Sequence, residues 1–235
     1  MAFPTVATTA TSVDNDGATS DHPHTLPAGI VSGDLLVMIV NGVDGVAWSW
    51  PGGWTEILDT GTNMSVAVGY RQADGSEGSS ITLTQGVNRS GGICYRIAGA
   101  ADPATQAPQV STVTEGLSTS PDPPSLSPTG GAKDYLWIAA FGYVATNASV
   151  TIPTNYTNKL EATPTSNFQI DSSQRALNAA TEDPGVFTIS PGDQWVAVTI
   201  AIHPGEVAPT TPKPPAPPNE LGPDGHVEPE PSGRR

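Results

Sequence analysis

The chain has 235 residues, of which 37% are hydrophobic and only 14% charged, so it has enough apolar material for a buried core. Its formal net charge of −14 at pH 7 would repel a phosphate backbone, which argues against nucleic acid as a partner. The 25 glycines and 24 prolines favour many short strands joined by tight turns and argue against long helices.

The N-terminal segment lacks the basic start and apolar run of a signal peptide, and no run approaches the roughly 20 apolar residues of a membrane span. We therefore expect synthesis in a cytoplasm and no membrane partner. The following Asp14-Asn15-Asp16-Gly17 lacks the spacing and distal Glu of a calcium loop, so a turn built from Asx side chains is predicted. His22 and His24 would point to one side of an extended segment. A solvated loop is the preferred interpretation, and convergence on an oligomer axis is the alternative.

Two segments, 35–40 and 135–141, are apolar on both faces, which predicts central strands covered by a second sheet or by a neighbouring chain. Residues 195–202 alternate large aliphatic side chains with smaller or more polar ones, as a strand does. Cys94 lies in a similar alternating run without an evident base partner, so we expect a packed side chain rather than a nucleophile.

Three of the five tryptophans, Trp48, Trp50 and Trp54, fall within the heptad WSWPGGW. The first two would share one face of a strand, Pro51-Gly52-Gly53 would make a turn, and Trp54 would open the next strand. We expect core or interface packing for the three indoles. The alternative is a sugar-stacking platform.

An internal repeat organises the chain, with about 24–99 matching about 124–203 in the same order of blocks. The aligned pairs include Asp34 with Asp134, Leu36 with Leu136, Trp48 with Val150, Trp50 with Ile152, Trp54 with Tyr156, and Arg71 with Arg175. Apolar residues at the positions matching the tryptophans favour a structural role for those indoles. With five or six strands expected per half, the sequence predicts a duplicated antiparallel β-sandwich or jelly-roll-like domain over 1–204.

From residue 205 the composition changes, because prolines become frequent and scarcely any apolar residue remains to be buried. Residues 205–235 are therefore predicted to form an extended Pro-rich tail. The chain contains no nucleophile elbow, zinc-protease helix or phosphate-binding loop. We accordingly predict a protein that is not an enzyme, with no catalytic residues, no metal site and no cofactor.

The run LPAGIVSGDLLVMIV, then WPGGWTEIL, VGYRQADGS and a Gly-led strand ending in RIAG, with the set repeated, resembles a group of tailed-bacteriophage virion proteins. The resemblance covers about 24–204. It implies a β-sandwich scaffold used for head decoration or in tail and fibre parts, without a catalytic set to transfer. Copy two departs from the pattern at Asn155-Tyr156 and Gln174-Arg175, which weakens any claim that both halves bind the same ligand.

The resemblance leads to two hypotheses. The first is a capsid decoration or cement protein of the virion, bound to the major capsid protein and to copies of itself, with a homotrimer as the default. The second is a carbohydrate- or receptor-binding module of a phage tail or fibre, with Trp48, Trp50 or Trp54 as stacking groups. Burial of the indoles favours the first, and exposure in a groove favours the second.

Overall fold

The computed structural model describes residues 2–43, 46–60, 64–144, 148–165 and 168–206, and these form an all-β structure. Almost all of the predicted tail, 207–235, lies outside the described residues. In the first half, called copy one, the strands are β1 (Thr5–Asp14), β2 (Asp21–Thr25), β3 (Leu35–Val43), β4 (Thr55–Asp59), β5 (Met64–Gln72), β6 (Ser80–Thr84) and β7 (Ser90–Ala98).

In the second half, called copy two, the strands are β8 (Gln109–Val110), β9 (Thr114–Ser118), β10 (Lys133–Tyr143), β11 (Ser149–Thr151), β12 (Thr157–Ala162), β13 (Gln169–Ala179), β14 (Thr188–Ser190) and β15 (Asp193–Ile202). The sequence predicted fewer strands in each half. Among the strands that the sequence did not single out are β2 and β9, which have only five residues each and leave little periodic signal. Within the described ranges, the chain forms no helix of the length and apolarity needed to cross a bilayer.

Each copy builds one antiparallel sheet, and the two sheets share one strand order. Copy one is ordered β1-β7-β3-β5-β4, and copy two is ordered β8-β15-β10-β13-β12 with β9 also pairing β15. Read from the first strand of each copy, the two orders correspond strand for strand. This correspondence confirms the duplicated all-β fold that the sequence predicts.

The two sheets pack face to face and share one core. Apolar side chains of β3, β5 and β7 form a single cluster with side chains of β10, β13 and β15. The Tyr95 hydroxyl lies 2.7 Å from Ser172 Oγ across the sheets, and Asn41 Nδ2 donates to the Gln169 carbonyl at 3.0 Å. The two copies therefore form one sandwich rather than two adjacent ones. The predicted central strands β3 and β10 each occupy the middle of their sheet.

A second layer covers the outer face of the copy-one sheet. Strands β2 and β6 pair with each other and pack on that face through a separate apolar cluster. The buried members of this cluster are Leu26, Met38, Val40, Trp48, Ala67, Ile81, Leu83 and Cys94. Both faces of β3 are thus covered within one chain, as its uninterrupted apolar run requires. Cys94 is a buried free cysteine, and burial raises the pKa of its thiol, so the structure confirms its prediction as a packed side chain.

One part of the sequence alignment between the copies is wrong by one residue. The matched arginines lie opposite Leu36 in copy one and opposite Trp137 in copy two, not opposite Leu136. Leu36 lies on the outward face of β3, with Met38 and Val40. Leu136 lies on the same face of β10 as Gly142. That face points inward, because a Cβ added at Gly142 would contact Val66 and Asn41 of the other sheet. A slip of one residue along a strand exchanges its two faces, so the ungapped alignment pairs residues in opposite environments.

The same slip separates Asp34 from Asp134. Asp34 is buried, accepts from the Val31 amide at 2.9 Å and pairs with Arg96. Asp134 instead accepts from Asn178 Nδ2 at an exposed position. The two aspartates are not structural equivalents.

Candidate functional site

Trp48 belongs to the packing between the copy-one sheet and its covering layer. It is 5% exposed, and its indole Nε1 donates to Ser65 Oγ at 3.1 Å. Its backbone amide donates to Asp59 Oδ2 at 2.7 Å, and its ring meets the His22 ring edge-on. These contacts leave no face of the indole for a ligand, so Trp48 is a packing residue.

Trp48 also has a different counterpart from the one that the sequence alignment gives. The equivalent backbone bridges are Ser49 to Thr84 and Ser149 to Ser190. Because Trp48 precedes the first bridge as Ala148 precedes the second, its counterpart is the buried Ala148 and not Val150. Two further residues separate the bridge from the turn in copy two.

Trp50 and Trp54 form a stacked, half-buried pair on either side of the predicted turn. Their ring centroids are 5.7 Å apart with an interplanar angle of 29°. The Trp50 ring lies on the outer face at Gly69, where an added Cβ would be 2.6 Å from the ring, and its Nε1 donates to Glu56 Oε2 at 2.8 Å. Gly53 has a φ of 87° in this turn, a left-handed conformation that glycine adopts without strain. Trp50 therefore covers the outer face of the sheet at Gly69, and Trp54 remains accessible beside it.

A shallow groove of about 220 Å³ opens next to Trp54. Its lining includes Pro51, Trp54, Arg71, Glu77, Ser80 and Thr82. Arg71 Nε donates to Glu77 Oε1 at 2.9 Å and its NH2 donates to Asp74 Oδ2 at 2.9 Å. The buried Glu77 carboxylate also accepts the Asp74 and Gly75 amides, so the ionic groups of this groove are compensated by one another.

Copy two repeats the turn and the ion pair but closes the groove. The Tyr156 amide donates to the Pro153 carbonyl as the Trp54 amide does to that of Pro51. Arg175 NH1 donates to Glu182 Oε1 at 2.9 Å, and the hydroxyl of the 5% exposed Tyr156 donates to the same carboxylate oxygen at 3.2 Å.

A chain of buried polar side chains joins β1, β2 and β7 beneath Trp48. His22 Nδ1 lies 2.9 Å from Asp14 Oδ2, and Ser90 Oγ lies 3.3 Å from the same nitrogen. Ser90 Oγ also lies 3.2 Å from His24 Nε2, and His24 Nδ1 lies 3.0 Å from Ser12 Oγ. An acid, two imidazoles and two hydroxyls are thus connected, and all of them except the half-buried Ser12 are buried.

This chain overturns the solvated-loop interpretation of the two histidines. His22 and His24 are 0% and 1% exposed on β2, and both face the sheet, as their spacing of two predicted. Burial, and secondarily the charge of His22, lower the pKa of His24 to about 3, so this ring is neutral near pH 7. The spacing of the two histidines predicted their shared face, but no sequence pattern indicated that a strand of mixed polarity would be covered.

Copy two carries a second buried polar cluster, on the outer face of β13. Gln169, Asp171 and Ser173 are all 0% exposed, and Gln169 Nε2 donates to Asp171 Oδ2 at 2.7 Å. Lys159 on β12 lies 3.4 Å from Asp171 Oδ1 and 2.8 Å from Glu161 Oε2. Burial raises the pKa of Asp171 to about 7 despite the opposing effects of Gln169 and Lys159. No sequence signal singled out this acid.

The remaining candidates are the possible metal ligands near the N-terminus. Asp14-Asn15-Asp16-Gly17 forms the predicted Asx turn, in which Asp14 Oδ1 accepts the Asp16 amide at 2.9 Å and Asp16 Oδ1 accepts the Ala18 amide at 3.1 Å. Among the described residues, no three or more His, Cys, Asp or Glu side chains are placed to hold one metal ion.

Among the described residues, the arrangement therefore includes an accessible aromatic groove at Trp54, the buried network of His22 and His24, and the buried cluster around Asp171. Comparisons of the chain with protein-family models, with curated proteins and with solved structures found no match.

Proposed function

We propose that this chain is a structural protein of a bacteriophage virion that acts as a capsid decoration or cement subunit. It would stabilise the head through contacts with the major capsid protein and with neighbouring copies, with a homotrimer as its default assembly. The proposal rests on the resemblance of the repeated blocks to virion proteins and on the use that the fold makes of its ligand-capable side chains.

The observation that carries the proposal is that most of the aromatic and histidine side chains that could bind a ligand pack within the protein itself. Trp48, His22 and His24 are buried beneath the β2 and β6 layer, and Trp50 covers the sheet at Gly69. A sandwich of two sheets with covered outer faces is a rigid block with edges and loops available for protein contacts.

The end of the sandwich also suits attachment of an arm. Pro204 bridges Ala100, and the Gly205 amide donates to the Gly99 carbonyl at 2.8 Å. The Pro-rich sequence follows directly after this anchored point. A stiff, proline-rich segment loses little entropy when it binds along a neighbour, which is the property that a cement arm needs.

A second candidate function is a carbohydrate- or receptor-binding module of a phage tail or fibre. The specific observation in its favour is the accessible Trp54 beside the groove, in contrast to the closed Tyr156 position of copy two. Of the three tryptophans that this hypothesis names, Trp48 is buried in the core and Trp50 is engaged with Glu56 and Gly69. Only Trp54 remains for stacking.

The test is a binding assay of purified protein against empty capsids stripped of accessory proteins, scored by co-sedimentation and by capsid melting temperature. Three versions are compared: the full chain, a version ending at Glu206, and a control in which 207–235 is replaced by a Gly/Ser linker of equal length. The described sandwich is complete in all three, and thermal unfolding of each version checks that it folds.

We expect saturable binding by the full chain, a raised capsid melting temperature, and weaker binding by the two versions without the Pro-rich sequence. Equal binding by the linker control would contradict the role of the arm. If none of the folded versions bound capsids, the cement function would be wrong.

A further inference from the structure

We propose that the groove beside Trp54 is a binding site for a neutral pyranose ring of an oligosaccharide. This proposal rests on the second candidate function and assigns it to one groove. It applies equally to a capsid subunit, because sugar binding does not depend on the position of the protein on a virion. It follows from a difference between the copies and from the side chains that line the groove.

The difference lies in the aromatic residue that follows the shared turn. In copy two, Tyr156 is buried and its hydroxyl reaches Glu182, so the ion pair and the aromatic ring close on each other. In copy one, Trp54 has no hydroxyl to make that contact, and Glu77 is satisfied instead by Arg71 and by backbone amides. The same framework is therefore closed in one copy and open in the other.

The open groove combines an aromatic face with hydroxyl groups. Trp54 presents a half-buried indole, and in the described part of the chain no group accepts a hydrogen bond from its Nε1. Ser80 and Thr82 alternate with the buried Ile81 on β6, so both hydroxyls project outward along the groove. An amphipathic indole beside polar groups suits a sugar ring, which has an apolar face and a rim of hydroxyls.

The charges of the groove favour a neutral sugar over an acidic one. The single cation, Arg71, is held by Glu77 and Asp74 at 2.9 Å each, which leaves one net negative charge in this group. The chain as a whole carries −14. A uronate or sulfated sugar would therefore meet repulsion without a free cation to pair with.

A proline-rich peptide is the competing occupant, because aromatic grooves also bind polyproline helices. Such a ligand needs successive aromatic ridges. Here the neighbouring indole, Trp50, lies flat on Gly69 and its Nε1 is held by Glu56. One accessible indole, stacked on Trp50 on its other side, and a row of hydroxyls match a single pyranose ring better.

The test uses the full-length protein in saturation-transfer-difference NMR and calorimetry, with lactose, maltose, cellobiose and chitobiose as neutral probes. A sulfated disaccharide and a peptide of sequence PTTPKPPAPP, residues 209–218, serve as the competing probes. The variants are Trp54→Ala, Trp54→Tyr, which installs the residue type of copy two, and Thr82→Val. The matched control is Thr188→Val, the exposed counterpart of Thr82 on β14.

We expect at least one neutral disaccharide to bind, with about a tenfold or greater loss of affinity in Trp54→Ala, a smaller loss in Trp54→Tyr and a loss of about threefold in Thr82→Val. Thr188→Val should bind as the unaltered chain does. Capsid binding should be the same for Trp54→Ala and the unaltered protein, which separates this site from the cement function.

Three results would overturn the proposal: no transfer from any neutral probe, binding that survives Trp54→Ala, or binding of the peptide or the sulfated sugar alone. Because Thr82 is an exposed strand residue, Thr82→Val keeps the test valid if Trp54→Ala does not fold.

Discussion

The outer faces of the two sheets are built from different kinds of side chain. In copy one, the outward positions of β5 are Ser65, Ala67 and Gly69, and the indoles of Trp48 and Trp50 lie over them. At the equivalent positions of β13, copy two has Gln169, Asp171 and Ser173. Copy one thus has small side chains beneath two indoles, and copy two has larger polar side chains at the equivalent positions of β13.

The comparison shows where a duplicated fold is free to diverge. The inner faces form one shared core, so a change in one copy must be accommodated by the other. The outer faces are covered separately, by β2 and β6 in copy one and by β11 and β14 in copy two, where Phe187 packs against Phe141 of β10. Two of the outward polar atoms of β13, Gln169 Oε1 and Ser173 Oγ, have no hydrogen-bond partner among the described residues, and Asp171 Oδ1 has only the ion pair with Lys159 at 3.4 Å. Copy two therefore keeps buried polar groups on this face, where copy one has small side chains beneath Trp48 and Trp50.

The largest expected effect is that of removing an indole from the copy-one face. Trp48→Ala should lower the free energy of unfolding by about 4 kcal/mol, because it empties a buried site and removes one of the two hydrogen bonds that Ser65 Oγ accepts, the other coming from Gln85 Nε2. Urea denaturation followed by circular dichroism measures the change. Leu117→Ala, at a side chain that is 80% exposed, is the control and should change stability by less than about 0.5 kcal/mol. A loss below about 1 kcal/mol in Trp48→Ala would contradict the packing role.

The buried histidines of copy one predict acid sensitivity. Because the pKa of His24 is about 3 in the folded chain against 6.5 when unfolded, the unfolded state takes up the proton first. The free energy of unfolding should fall by about 3 kcal/mol between pH 6.5 and pH 4, at up to about 1.4 kcal/mol per unit.

Denaturation of His24→Gln over the same pH range isolates this contribution. The variant should show a shallower slope, and what remains near pH 5 includes His203, whose pKa burial and then Lys133 lower to about 4. An unchanged slope in His24→Gln would show that the ring is not held neutral.

The polar outer face of copy two predicts a pH dependence of opposite sign, in which stability falls as the pH rises. Because burial raises the pKa of Asp171 from 3.8 to about 7, its ionisation costs folded-state stability as the pH rises from about 4 to 7. Asp171→Asn mimics the protonated acid and should gain about 4 kcal/mol over the unaltered protein between pH 4 and pH 8. Ser172→Ala, one residue along β13 and facing inward, is the control and should show no such pH-dependent gain. A constant difference between Asp171→Asn and the unaltered protein across this range would contradict the assignment.

The strand periodicity and the repeat were enough to predict an all-β duplicated sandwich, because burial on one or both faces leaves a period of two in the sequence. The central position of β3 and β10 followed from their unbroken apolar runs. The side on which each residue of those strands lies did not follow, since Leu36 and Leu136 match in type but face opposite ways. Identity at a position does not fix register when both faces are apolar.

The candidate site was predicted only in part. The sequence named Trp48, Trp50 and Trp54 together, and the structure separates them into a core residue, a sheet-covering residue and a groove residue. That separation depends on the β2 and β6 layer, whose packing over Trp48 is a long-range contact that no local pattern reports. The ion pair of Arg71 with Glu77 was missed for the same reason, although its arginine was matched between the copies.

The central claim is that the two copies share one core, and native-state hydrogen exchange tests this shared core directly. With the full chain at low denaturant, the slowest amides of β3 in copy one and of β10 in copy two should exchange through the same global opening, with equal free energies and equal denaturant dependence. Two separate openings, one for each copy, would contradict the single sandwich and with it the division into a shared inner core and divergent outer faces.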